Sequence, residues 1–170
     1  MTNIATQAAF IGAAMAMLCL PAWANDPDPI TAEPDAFAAR VALPDSVALP
    51  DGSVMATLSA TMPETGQQTH ETYVMTRAEE EEYYVLTEAD RTRLRQQQML
   101  ILGYREAGLD VDGTFSFAIN PCLTGEGNLR NARVSIELRA DETVGFFPVV
   151  DDMRLRRLLG QQLRTLPPCS

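Results

Sequence analysis

The side chains in this sequence that could do chemistry are few and widely spaced. Asp151 and Asp152 are adjacent carboxylates, the pairing that general acid/base catalysis draws on, and Arg154, Arg156 and Arg157 follow them as a set able to clamp an anion. A plainer explanation covers both features. Two carboxylates in front of an apolar helical period suit the positive end of a helix dipole, and Arg154 and Arg157 fall on the face opposite the leucines, where water is expected. His70 is the sole histidine and stands beside Glu71. On a strand, adjacent side chains point to opposite faces, so a base and its orienting carboxylate would not meet there. Asp110 and Asp112 alternate ahead of Gly113 as in the middle of a calcium loop, but that register puts Gly108 at the first ligand position and Ile119 at the closing one. With those donors missing, Asp110 and Asp112 are expected in a turn, and neither a metal nor a cofactor is expected.

Cys122 and Cys169 carry the one covalent expectation. Residues 1–24 contain no charged side chain, run apolar from Ala8 to Leu20, and end in Pro21-Ala-Trp-Ala24, the small-x-small pattern that precedes signal cleavage. The third cysteine, Cys19, lies inside that block, so the mature chain from Asn25 would keep two cysteines and one connectivity, Cys122 to Cys169. The expected location is the periplasm or the exterior, with no membrane span once the leader is removed. All 13 basic residues are arginine, which excludes Schiff-base, P-loop lysine and Ser-Lys chemistries. Charge is segregated as well: residues 25–83 hold 12 acidic and 2 basic side chains, residues 84–170 hold 11 of each. An acidic front half repels nucleic acid and anionic lipid, so neither is an expected partner.

The elements that must position these residues follow from period and punctuation. Residues 25–52, rich in Pro and Asp, read as an extended tether; within it Val41-Ala-Leu-Pro-Asp-Ser46 is repeated as Val47-Ala-Leu-Pro-Asp-Gly52. Val41, Leu43, Val47 and Leu49 are the candidate partner-binding residues, on the reading that this segment is offered to another protein's sheet edge. From Ser53 onward one α+β domain is expected. Val54 to Met62 and Thr69 to Thr76 alternate as strands around Pro63-Glu-Thr-Gly66, and the acidic run Glu79 to Glu82 stays in water before a short Tyr-Tyr-Val-Leu strand. Thr87 caps a helix through Leu94, Met99, Leu100, Ile101, Leu102 and Tyr104, with Gly108 as its C′ residue and its apolar back half the more deeply buried. Then Phe115 to Ile119, Val134 to Ala140 and Val144 to Val150 read as three strands of one small sheet. Asp151-Asp152 would cap a helix presenting Leu155, Leu158, Leu159, Leu163 and Leu166 to it. An offset of 64 lays Val85-Leu-Thr-Glu88 over Val149-Val-Asp-Asp152, which suggests a duplicated strand-strand-strand-helix unit. The fold class expected is therefore small antiparallel sheet packed against two helices.

Leu102-Gly103-Tyr104 followed by Val111-Asp112-Gly113-Thr114-Phe115 resembles part of the small helical peptidoglycan-binding repeat of envelope proteins. That resemblance implies a second helix and a ligand groove, where this chain continues instead with alternating Phe115, Phe117 and Ile119. Strand, Asp-containing turn, strand and terminal helix from Val134 onward are similar in order to the C-terminal modules of TonB-type and TolA-type envelope proteins. The expected function is an exported, non-catalytic interaction or assembly module of the bacterial cell envelope, its partner an envelope protein. The alternatives are a module that binds peptidoglycan and a small carboxylate-dependent hydrolase.

Overall fold

The computed structural model describes residues 16–19, 28–78, 81–125 and 129–169. Most of the leader, its cleavage point, the first residues of the tether, and Glu79 and Glu80 lie outside them. The described strands are β1 (Ala16–Cys19), β2 (Ala38–Ala42), β3 (Val47–Ala48), β4 (Val54–Met62), β5 (Gln67–Arg77), β6 (Tyr84–Leu86), β7 (Asp112–Ile119), β8 (Cys122–Leu123), β9 (Arg133–Arg139) and β10 (Phe147–Arg154). Eight of them form one sheet in the order β1-β7-β4-β5-β6-β2-β9-β10, antiparallel at every step, and β3 pairs with β8 beside it. The sheet curls, so that Phe117 and Ile119 near one end and Ile136 and Leu138 near the other share a single core. Alternation is the cause. Val54, Ala56, Leu58 and Ala60 turn to that core, and the β4–β5 hairpin closes through Gly66, whose φ of 69° lets its N–H reach the Met62 carbonyl at 2.8 Å.

Helix α1 (Glu88–Glu106) starts where expected: the Thr87 hydroxyl accepts from the Asp90 N–H at 3.1 Å, and Gly108 follows the C-cap with φ 80°. Its buried face is Asp90, Leu94, Gln97, Gln98 and Ile101, a helical stripe in which only two members are apolar. The back half holds Gln97, Gln98 and Ile101 of that stripe, but its apolar character does not track burial, since Met99 and Leu100 are 72% and 49% exposed. Leu94 and Ile101 reach the core, and the rest of what docks the helix is polar. Strand β6 ends at Leu86, leaving part of the β5 edge without a strand partner among the described residues, and α1 side chains take its place. Asp90 accepts from the Val74 N–H at 3.0 Å and Arg93 donates to the Thr72 carbonyl at 3.3 Å.

Four expectations are corrected. Residues 28–52 are not a tether: Ile30, Phe37, Ala38 and Ala39 are buried, and β2 lies between β6 and β9, joining the two halves of the sheet. The two Pro-Asp repeats form matching turns, Val47 N–H to Pro44 O at 2.9 Å and Ser53 N–H to Pro50 O at 3.1 Å. The duplicated unit finds no support either. Strand β7 pairs with β4 instead of β9, and helix α2 (Leu155–Leu159) is five residues long before a 3₁₀ stretch, Gly160–Thr165. Asp151 and Asp152 belong to β10 and cap nothing; Arg154 is the N-cap, without a side-chain bond. Finally, Asp112-Gly113 is not a turn but the start of β7. A Cβ on Gly113 would come within 2.9 Å of the Ile30 side chain, so the glycine answers a close approach.

Candidate functional site

The charged residues singled out in the sequence come together in a shallow groove of about 600 Å³ at the end of β9 and β10, lined by Arg133, Asp151, Asp152, Met153, Arg154, Arg156 and Arg157. Strand β10 reaches it through two bulges, one between Pro148 and Val150 and one between Val150 and Met153. The second aims the Asp pair. Asp152 sits at φ 43°, a left-handed conformation that Asp tolerates better than most residues, and is held there by three bonds. Its N–H donates to the Ser135 hydroxyl at 3.0 Å, its carbonyl accepts from Arg133 at 2.6 Å, and its carboxylate accepts from the same guanidinium at 2.5 Å. One guanidinium thus engages both the carbonyl and the carboxylate of Asp152. With four guanidinium groups around two carboxylates, the groove is a local positive patch on an acidic chain. It suits electrostatic contact with an anionic group.

The other sequence candidates lie apart. His70 Nδ1 is 2.8 Å from the Ser59 hydroxyl across β4 and β5, a contact set by strand register that sequence spacing did not show. Glu71 points to the opposite face and is paired with Arg93, so it does not orient the imidazole. Asp110 follows α1 and Asp112 opens β7 opposite Thr61; among the described residues no group of three or more His, Cys, Asp or Glu could hold a metal. Val41 pairs with Ile136 and Val47 with Leu123, while Leu43 and Leu49 pack on the core. Val41 and Val47 are thus engaged by strand pairing, and Leu43 and Leu49 by packing, within the chain itself. Val111 to Phe115 run into β7, where the peptidoglycan-binding repeat would have its second helix.

Cys122 and Cys169 meet as a disulfide with Cα atoms 5.0 Å apart. The tail is also stitched to β8 by backbone: Leu123 N–H to Pro167 O and Cys169 N–H to Leu123 O, each 2.8 Å.

Sequence reasoning missed two constellations. One is buried: the Tyr73 hydroxyl donates to Gln97 Oε1 at 2.5 Å, and Gln97 Nε2 donates to the Leu58 carbonyl and the Thr69 hydroxyl, both at 2.9 Å. Burial above all pushes the Tyr73 phenol well up from its ordinary 10.0, with Glu71 adding to the rise and Arg93 opposing it. The other is a stack on the outer face of β2 and β9, where Arg40 lies 4.2 Å over the Phe146 ring and Arg139 5.2 Å over both Phe146 and Tyr83. Arg at alternate strand positions with aromatics in nearby loops was the available signal, but only pairing reveals that they meet. Comparison with protein-family models, with curated proteins and with solved structures returns no match.

Proposed function

We propose that this chain is an exported, disulfide-closed, non-catalytic interaction or assembly module of the bacterial cell envelope. The observation that carries the reading is the Cys122–Cys169 pair, which closes the C-terminal tail onto β8. A structural disulfide belongs to an oxidising compartment, and an uncharged apolar leader is the route there. The conspicuous side chains support contact over catalysis. Asp152 is committed to Arg133, Glu71 to Arg93, and the positive groove is open and shallow. The test is affinity purification of the tagged protein from its native envelope followed by mass spectrometry, with intact mass of the exported chain measured in parallel. A reproducible protein partner and a mature chain starting at Asn25 are expected. Co-sedimentation with purified peptidoglycan in place of a protein would favour the wall-binding alternative. A hydrolytic activity abolished by Asp151→Asn or Asp152→Asn would replace both.

A further inference from the structure

The two ends of the large sheet are built differently. An exposed strand edge offers unpaired backbone N–H and C=O groups to any extended chain, and proteins blunt such edges with proline, charge and bulges. Strand β10 has all three: Pro148, the charges of Asp151, Asp152 and Arg154, and two register breaks. Strand β7 has none of them from Thr114 to Ile119. That run is Thr-Phe-Ser-Phe-Ala-Ile, uncharged, and it pairs with β4 without a break. Phe115, Phe117 and Ile119 fill the core while Ser116 and Ala118 lie on the other face, and all five are buried.

What covers the β7 edge here is β1. Ala16 pairs with Ile119, Met17 with Ala118, Leu18 with Phe117 and Cys19 with Ser116, antiparallel and in unbroken register. Those four residues belong to the apolar block whose sequence marks it as a leader. Cleavage before Asn25 would take the covering strand away and leave a straight, uncharged edge.

We propose that the edge of β7 at Ser116–Ile119 is a strand-docking site, filled in the exported protein by an extended apolar segment of a partner protein. The inference rests on the export and interaction reading above and names its surface. Strand addition takes its affinity from main-chain hydrogen bonds, so the occupant is defined by extension and apolar character, as Ala-Met-Leu-Cys is. The leader strand occupies the site until the partner's strand replaces it.

The probe is a synthetic peptide of residues 14–20 with Cys19→Ser and a soluble C-terminal tail, added to the mature chain beginning at Asn25. The N–H of Asn120 bonds Ser53 O on the β4 side, so by alternation the amides of Phe117 and Ile119 face the β1 side; their hydrogen exchange is expected to be fast in the mature chain alone and to slow at least tenfold with the peptide. The same peptide carrying Met17→Pro and Leu18→Pro should have no effect, because successive N–H groups point to opposite sides and one of the two must face β7. Ala118→Lys and Ser116→Lys, each checked for an unchanged melting temperature, should weaken peptide binding at least tenfold. If neither variant folds, the proline peptide on the unmodified chain decides. Amides of Phe117 and Ile119 that are protected without peptide, a mature chain that dimerises through this edge, or an exported chain that keeps residues 1–24 would each overturn the proposal. The two readings fail separately. An envelope partner captured equally well by Ala118→Lys defeats the edge alone, whereas peptide binding with no envelope partner defeats the interaction module alone.

Discussion

At the scale of single residues, the decisive side chain is Gln97, which no motif distinguishes. It accepts from Tyr73 with one atom and donates to Leu58 O and Thr69 with the other, all in the interior between α1 and the sheet. Removing a buried amide strands the groups it satisfied, and each unsatisfied partner costs about 1 to 3 kcal/mol. Gln97→Ala should therefore lower stability by about 2 to 4 kcal/mol in urea unfolding, more than an exposed neighbour such as Gln96→Ala, which stays within about 0.5 kcal/mol. Tyr73 adds a pH dependence of known sign. Its phenol stays protonated in the folded chain beyond 10.0, while in the unfolded chain it ionises near that value. The stabilisation is thus complete below pH 10.0 and is lost as pH rises above it, because ionisation then favours the unfolded state. Unfolding free energies from pH 8 to 11 should fall less steeply in Tyr73→Phe than in the parent. A residual slope is expected from Tyr84, whose phenol is also raised, chiefly by burial.

At the scale of elements, legibility followed the source of each element's stability. Strands β4, β5 and β9 bury one face more deeply than the other, so Val54-x-Ala56-x-Leu58 and Val134-x-Ile136-x-Leu138 print a period of two that is readable without a structure. The α1 cap was readable for the same local reason, since Thr87 bonds to Asp90 within its own turn. Strand β2 was not. Ala38 and Ala39 are both fully buried, one on each face, and small residues enclosed on both sides show no alternation. Helix α1 concealed its docking face because Asp90, Gln97 and Gln98 complete hydrogen bonds to sheet and loop that exist only once the chain has folded. The charged groove was half legible: Asp151, Asp152, Arg154, Arg156 and Arg157 were named, but Arg133 joins them only through β9–β10 pairing, and a bulge replaces the expected helix cap. That bulge yields a prediction. A β-branched residue at φ 43° is strained by about 1 to 2 kcal/mol, whereas glycine is not. Asp152→Val should destabilise by that amount and Asp152→Gly by less than about 0.5 kcal/mol, as read by thermal unfolding, the exposed pair with Arg133 contributing little.

At the scale of the whole molecule, one sheet with one core is closed by contacts far apart in sequence. β2 joins β6 to β9, and the last residues return to β8, which pairs with β3. The tail from Pro167 to Cys169 contributes little burial of its own: Pro167 and Pro168 are exposed, and the 3₁₀ stretch before it has no fully buried residue. Two backbone bonds to Leu123 and the link to Cys122 are what hold it. The covalent link spans 47 residues, for which chain entropy alone gives about 4 kcal/mol before any native strain is subtracted. Without it, the backbone bonds form at an open end and fray. Leu163 and Leu166, partly buried against the core, would lose their anchor, while Leu155 and Leu159 stay buried in α2. Cys169→Ser should therefore lower unfolding free energy by about 2 to 4 kcal/mol and expose residues 160–169 to proteolysis, with the circular dichroism of the sheet unchanged. Cys122→Ser should cost at least as much, because Cys122 is itself buried beside β3 where Cys169 is half-exposed. Thiol titration of the unreduced, denatured mature chain should find no free thiol. Two thiols per chain, or a bridge between chains, would remove the entropic term and leave the tail held by two backbone bonds.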